Sequence, residues 1–142
     1  MIKENIQKWH DFTHGNFPGG LDKLLADDVI FFSPVVFTPQ KGKELTKLYL
    51  MAAGNTFGGD DNKKNGDLED SSFRYTKEVL TGNQAILEFE TTIEGKYVNG
   101  VDIISFNNEG KISEFKVMIR PLQAVNIIHM QMQKMLAELS DA

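Results

Sequence analysis

Apolar residues near the start of the chain recur three or four positions apart, and from Phe73 onward the period shortens to two. Ile2, Ile6, Trp9 and Phe12 share one helical face, which predicts an amphipathic helix over residues 2 to about 14, ended by Gly15-Asn16. Pro18-Gly19-Gly20 makes a turn, and Leu21 to Leu25 forms a short second helix before Ala26-Asp27-Asp28. Val29 to Phe32 reads as a short buried strand, stopped at Ser33-Pro34 because proline cannot donate to a ladder. Lys43 to Ala53 returns to helical spacing with Leu45, Leu48, Tyr49 and Ala52. Gly58 to Ser72, rich in Gly, Asp and Asn, reads as a long exposed loop.

Four strands follow: Phe73 to Leu80, Ala85 to Ile93, Tyr97 to Phe106 and Ile112 to Ile119. Their short turns, Thr81-Gly82-Asn83, Glu94-Gly95-Lys96 and Asn107 to Gly110, imply an antiparallel meander. Arg120-Pro121 opens a last helix whose apolar stripe is Leu122, Val125, Ile128 or Ile127, Met132 and Met135. The expected architecture is a single α+β domain over 1–142. A cone-shaped curved antiparallel sheet packs against three to four helices, and such a cone can enclose an apolar small-molecule pocket.

Composition narrows the function. The 142 residues are 41% hydrophobic and carry a net charge of -5, which speaks against a nucleic-acid or anionic membrane partner. The chain has no cysteine, so disulfides, thiolate nucleophiles and thiolate metal sites are excluded. No apolar run approaches the ~20 residues of a membrane span, and MIKENIQKWHDF lacks the apolar core of a signal peptide, so a cytoplasmic protein is expected.

Metal chemistry has two weak leads. His10 and His14 stand i,i+4 on the first helix without an evident third ligand, and the pair reads as surface histidines. Asp61 to Ser72 carries Gly66 at the sixth position of a calcium loop, but Lys63 and Ser72 replace acidic ligands and no helix follows. It reads as a loop able to cover a pocket. No metal and no cofactor is expected. Met118, Met130, Met132 and Met135 suit core or dimer packing. His129 fits a surface or interface position, and Arg120 fits pairing on the outer face of the sheet.

The sharpest chemical signal is Asp102, a carboxylate inside the apolar run Val101 to Phe106. Such a group must be paired, exposed or held neutral. If Asp102 points into the cone, alternation sends Ile104 and Phe106 with it.

"LLADDVIFFSPV" and "GVDIISFNNEGKISEF" resemble the nuclear transport factor 2-like superfamily, in its SnoaL-like branch of polyketide cyclases and ketosteroid isomerases. The resemblance covers nearly the whole chain in element order and implies the cystatin-like α+β barrel. It implies that Asp102 occupies the place of the isomerase's oxyanion-hole aspartate, kept neutral by an apolar site. The isomerase's general base would fall at Ser33, and its helix tyrosine in the region of Lys8 and Trp9, so neither is present. The epoxide-hydrolase branch fails likewise, since its catalytic aspartate would fall at Val117.

By the same pattern Leu87, Phe89, Thr91, Ile104, Phe115, Val117 and Ile119 wall the pocket. Ser33 stands near its mouth, and Trp9, Phe31, Tyr49 and Phe57 complete it. Glu88, Glu90, Glu114, Lys116 and Arg120 take the opposite face, through which the resemblance implies a homodimer. The expected partner is a small apolar molecule. The alternative is a cyclase- or isomerase-like enzyme in which Asp102 is the acid or hydrogen-bond donor to a carbonyl or enolate.

Overall fold

A computed structural model describes residues 1–56 and 73–140. In chain order the elements are α1 (Ile2–Thr13), α2 (Gly20–Leu24), β1 (Leu25–Phe32), β2 (Gln40–Lys41) and α3 (Lys43–Thr56). They are followed by β3 (Arg74–Thr81), β4 (Gln84–Ile93), β5 (Lys96–Phe106), β6 (Ile112–Arg120) and α4 (Leu122–Ser140). The four strands expected from alternation are β3 to β6, each antiparallel to the next. Ile93 pairs with Lys96 across a two-residue loop in which Glu94 (φ 52°) and Gly95 (φ 77°) are both left-handed. That loop geometry matches the twist of the flanking strands. The loop expected over 58–72 lies outside the described residues.

The sheet departs from the antiparallel expectation at one place. β1 runs parallel to β6, with Phe31 opposite Phe115, so the six-stranded sheet of order β2-β1-β6-β5-β4-β3 is mixed and open. β2, a two-residue strand opposite Ile30 and Phe31, was not expected either. β1 also starts four residues before Val29. Leu25 and Ala26 are buried while Asp27 and Asp28 face solvent, and the register with β6 shifts between Leu25 and Ile30. This irregularity breaks the alternation that would have marked the strand, since a bulge turns successive side chains off the two-residue period.

All four helices contribute side chains to cores built on one face of the sheet. Ile6 and Trp9 of α1, with Leu21 and Leu24 of α2, pack on Leu87, Ile104, Phe106 and Phe115. Ala52 of α3 and Ala124, Ile128 and Met132 of α4 cover Phe89, Ile93 and Val98. Each large apolar side chain fully buried here stabilises the fold by about 1.5–3 kcal/mol. Ile128 rather than Ile127 is the buried member of the α4 stripe, and Leu122, placed in that stripe by spacing, is exposed. Tyr49, Tyr75 and Val117 are half-buried and touch both clusters, so they mark a seam between them.

Gly100 lets the sheet close over itself beside this seam. A Cβ there would stand 2.5 Å from Phe89 Cζ, 2.7 Å from the Met118 carbonyl oxygen and 2.8 Å from Ile119 Cδ1. Only glycine leaves room for both side chains to meet across β5.

Candidate functional site

Strand register sets the inner face. Leu87, Asp102 and Val117 lie in one row across β4, β5 and β6. Ala85, Ile104 and Phe115 form the row on one side, and Phe89, Gly100 and Ile119 the row on the other. Asp102 therefore points toward the helices, beside the seam.

Asp102 is 6% exposed. Burial among apolar groups disfavours the carboxylate and pushes its pKa up to about 7, against the stabilising bond it accepts from Tyr75. The Tyr75 hydroxyl donates to Asp102 Oδ2 at 2.6 Å, and the Trp9 indole N–H donates to Tyr75 Oη at 3.1 Å. A single file of donors thus runs from α1 through β3 to β5. Burial, and then the Asp102 charge, hold the Tyr75 phenol well above its ordinary pKa. Asp102 Oδ1 has no hydrogen-bond partner among the described residues.

Sequence reasoning placed Trp9 at the site and missed Tyr75. The signal was present, since Phe73 and Tyr75 alternate onto one face of the predicted strand. Tyr75 pairs in register with Phe89, an inward residue. Every β3 residue from Thr76 to Val79 is exposed, so the strand as a whole reads as an edge, and its inward residues, Tyr75 and Leu80, are easily overlooked.

The other expected lining residues divide by burial. Phe31, Leu87, Phe89, Ile104 and Phe115 are at most 2% exposed and belong to the packed core, whereas Tyr49, Val117 and Ile119 are half-buried. Aromatic contacts link several of them. Trp9 meets Phe115 edge-on at 4.9 Å between ring centroids, Phe31 lies 6.0 Å from Phe115, and Tyr49 lies 5.6 Å from Phe31. Thr91 is buried, and its hydroxyl has no hydrogen-bond partner among the described residues. Ser33 Oγ accepts the Val35 backbone N–H at 3.1 Å, holding the turn after β1. Phe57 lies outside the described residues.

Two hollows formed by described residues lie away from Asp102. One of about 530 Å³ runs between Ala26–Asp28 and Asn107–Lys111. The other, about 310 Å³, lies on the outer face of the sheet among Lys77, Val79, Ile86, Val101 and Met118. Around it Arg74 pairs with Glu90 at 2.7 Å, Lys77 with Glu88 at 3.6 Å, and Arg120 donates to Asn99 at 3.3 Å. Glu88 and Glu90 thus face outward, as alternation predicted.

His10 Nε2 meets Glu78 Oε1 at 2.9 Å, and His14 Nδ1 meets the His10 carbonyl oxygen at 2.7 Å, so the two imidazoles serve separate partners. Among the described residues no group of three His, Asp or Glu side chains is arranged to hold a metal ion. The candidate calcium loop, Asp61 to Ser72, falls outside them. No helix among the described residues is long and apolar enough to cross a membrane.

No family model matches the chain, and no curated protein matches it in sequence. Solved structures do. A steroid delta-isomerase from Pseudomonas aeruginosa superposes with a TM-score of 0.83 at 24% identity, over 99% of this chain and 95% of that one. An uncharacterised bacterial protein with a cystatin-like fold from Silicibacter pomeroyi does so with a TM-score of 0.67 at 27% identity, over 80% of this chain and 72% of that one. A nuclear transport factor 2-like protein of unknown function from Mesorhizobium loti gives 0.64 at 16% identity, over 84% of this chain and 91% of that one. Similarity at this level speaks for shape and leaves the chemistry to the residues. In fold, this chain is similar to these cystatin-like and nuclear transport factor 2-like structures.

Proposed function

We propose that the chain binds a small apolar molecule on the helix-facing side of its sheet, at the seam where Asp102, Tyr75, Tyr49 and Val117 meet. The observation that carries this reading is the buried, Tyr75-bonded carboxyl of Asp102, a costly group to keep among apolar side chains for packing alone. Half-buried Tyr49, Tyr75 and Val117 beside it are the inner-face groups a ligand would displace least protein to reach.

Binding is favoured over catalysis because, among the described residues, no general base accompanies the acid. Ser33 stands where the isomerase base would, and it serves a turn. His10 is turned to Glu78. A carboxylic acid that only donates a hydrogen bond polarises a carbonyl but removes no proton from carbon. The enzyme reading, a cyclase- or isomerase-like reaction with Asp102 as the acid, is favoured only by the neutrality that burial imposes on that group.

We further propose a homodimer through the outer face. Exposed Val79 and Met118 stand there in an apolar hollow ringed by ion pairs of both signs, which suits a self-complementary contact.

The test of the ligand site is methyl-group NMR of the full chain titrated with 2-ethylnaphthalene, a compact apolar probe. Saturable shifts at Leu87, Ile104 and Val117, with Ile86 and Ile103 of the outer face still, are expected. Shifts confined to the outer face, or none that saturate, would remove the reading.

A further inference from the structure

Resting on the reading of the outer face as the contact between two copies, we propose that Phe37 of each copy enters the outer-face hollow of the other. Two identical insertions, one on each side of a twofold axis, would then close the dimer.

Phe37 lies in the loop that joins β1 to β2. It is 99% exposed, whereas every other described phenylalanine is buried or half-buried. A lone exposed apolar side chain is ordinary, but this one stands on a loop held in shape. Pro34 and Pro39 each fix one backbone angle of it. Ser33 Oγ accepts the Val35 N–H at 3.1 Å, and the Gln40 side-chain amide donates to the Thr38 carbonyl oxygen at 2.7 Å. Gln40 in turn pairs with Phe31 across β2 and β1. Both ends of the loop are thus tied, so presenting the ring to a partner has little ordering left to do.

The hollow suits such a ring. Val79, Ile86, Val101 and Met118 give it an apolar lining, and its volume is about 310 Å³. A dry cavity of about 150 Å³ is enough for benzene, so a phenyl ring fits with part of its loop beside it. The charges at its rim are matched within the chain. Lys77 lies 3.6 Å from Glu88, which also accepts from Asn99 at 3.0 Å, and Arg120 donates to Asn99 at 3.3 Å. Residues 33–39, SPVVFTP, carry no charge. Their loop can therefore cover the rim without setting a like charge against it or burying an unpaired one.

Topology makes the exchange reciprocal. β1 runs parallel to β6, and Phe32 stands opposite Lys116 with the Lys116 Nζ 4.8 Å over its ring. The loop after Phe32 therefore continues in the direction of Met118 and Arg120, toward the end of the sheet that carries the hollow. In the sheet, β6 separates β1 from β5, which places loop and hollow about two strand spacings, or about 10 Å, apart. A twofold axis through β6 beside Met118 carries each Phe37 onto the hollow of the other copy, an isologous contact that closes on itself. Two such insertions cover roughly 800 Å², about half of a standard interface. Met118, 50% exposed, then meets its own counterpart at the axis.

The experiment reads association and insertion separately on the full chain. Sedimentation velocity follows the dimer. Isotope-filtered NMR on dimers mixed from labelled and unlabelled copies follows the ring, whose protons should show intermolecular NOEs to the methyl groups of Val79, Ile86 and Val101. Phe37→Ala should weaken dimerisation about hundredfold, tenfold for each lost ring, with unchanged far-ultraviolet circular dichroism. Val101→Trp, which fills the hollow, should weaken it as much. A mixture of the two variants keeps one native insertion and sets the missing ring against the filled hollow, so the mixed dimer should be about tenfold tighter than either variant alone. Val79→Trp fills the same hollow from β3 should Val101→Trp fold poorly.

If Phe37→Ala dimerises like the parent while Met118→Asp is monomeric, the insertion is overturned and the outer-face dimer stands. A parent dimer without NOEs from the Phe37 ring, or no gain on mixing, overturns the insertion in the same way. A parent chain that stays monomeric at every attainable concentration overturns both.

Discussion

Asp102 shows how one residue couples stability to pH. Its ordinary pKa of 3.8 rises to about 7 in the fold, so the folded chain keeps a proton that the unfolded chain releases between these values. Its contribution is therefore fully present below about pH 4 and is lost as pH rises through about 7. The loss is on the order of 4 kcal/mol over the whole interval, and roughly 2–3 kcal/mol of it falls between about pH 5 and pH 8. Asp102→Asn cannot ionise. Denaturant titrations of variant and parent should show the variant gaining about that much relative stability over the same span. A difference between the two that stays constant with pH would contradict the buried, proton-holding carboxyl. The residue's chemistry was legible in the sequence as an acid in an apolar run. Its partner was not, because nothing local ties Tyr75 to Asp102, 27 positions away.

At the scale of elements, β4 and β5 do most to shape the site. Their hairpin runs in unbroken register from Gln84–Ser105 to Ile93–Lys96, which fixes the face of every side chain on both strands. Two glycines hold it. Gly95 at φ 77° completes the left-handed pair of the turn, and Gly95→Ala should cost about 1 kcal/mol through the strain of that conformation. Gly100→Ala should cost more, about 1–3 kcal/mol, since its Cβ would press on Phe89, Ile119 and the Met118 carbonyl oxygen. Thermal unfolding of the two variants ranks the effects. If Gly100→Ala proved the milder of the two, the tight closure over β5 would be wrong. Alternation revealed these strands because their pairing is local, through short turns. β1 was only half legible. Its irregular start turns Asp27 and Asp28 to solvent, and its parallel partner β6 lies near the other end of the chain.

For the whole molecule, the two faces of the sheet have different surroundings. The inner face is covered by helices, while the outer face shows Val79 (46% exposed) and Met118 (50% exposed) among the pairs Arg74–Glu90 and Lys77–Glu88. If a second copy covers this face, Met118→Asp should convert the dimer to monomer in sedimentation velocity while far-ultraviolet circular dichroism stays unchanged. Undisturbed association in that variant would place the interface elsewhere. An excess of acidic over basic residues gives the chain its net charge of -5, but the local pairing on this face would keep two copies from repelling there.

Periodicity alone was enough to assign β3 to β6, the main helices and which residues share a face with Asp102, because those properties follow from the spacing of neighbours along the chain. The resemblance in "GVDIISFNNEGKISEF" reached the fold, because that hairpin carries the register of the inner face. The tertiary structure alone decided the parallel β1–β6 edge, the seam between two cores and the Trp9–Tyr75–Asp102 file of hydrogen bonds. Each of these joins residues far apart in the chain, and their meeting depends on how helices and strands pack together, which no local spacing encodes.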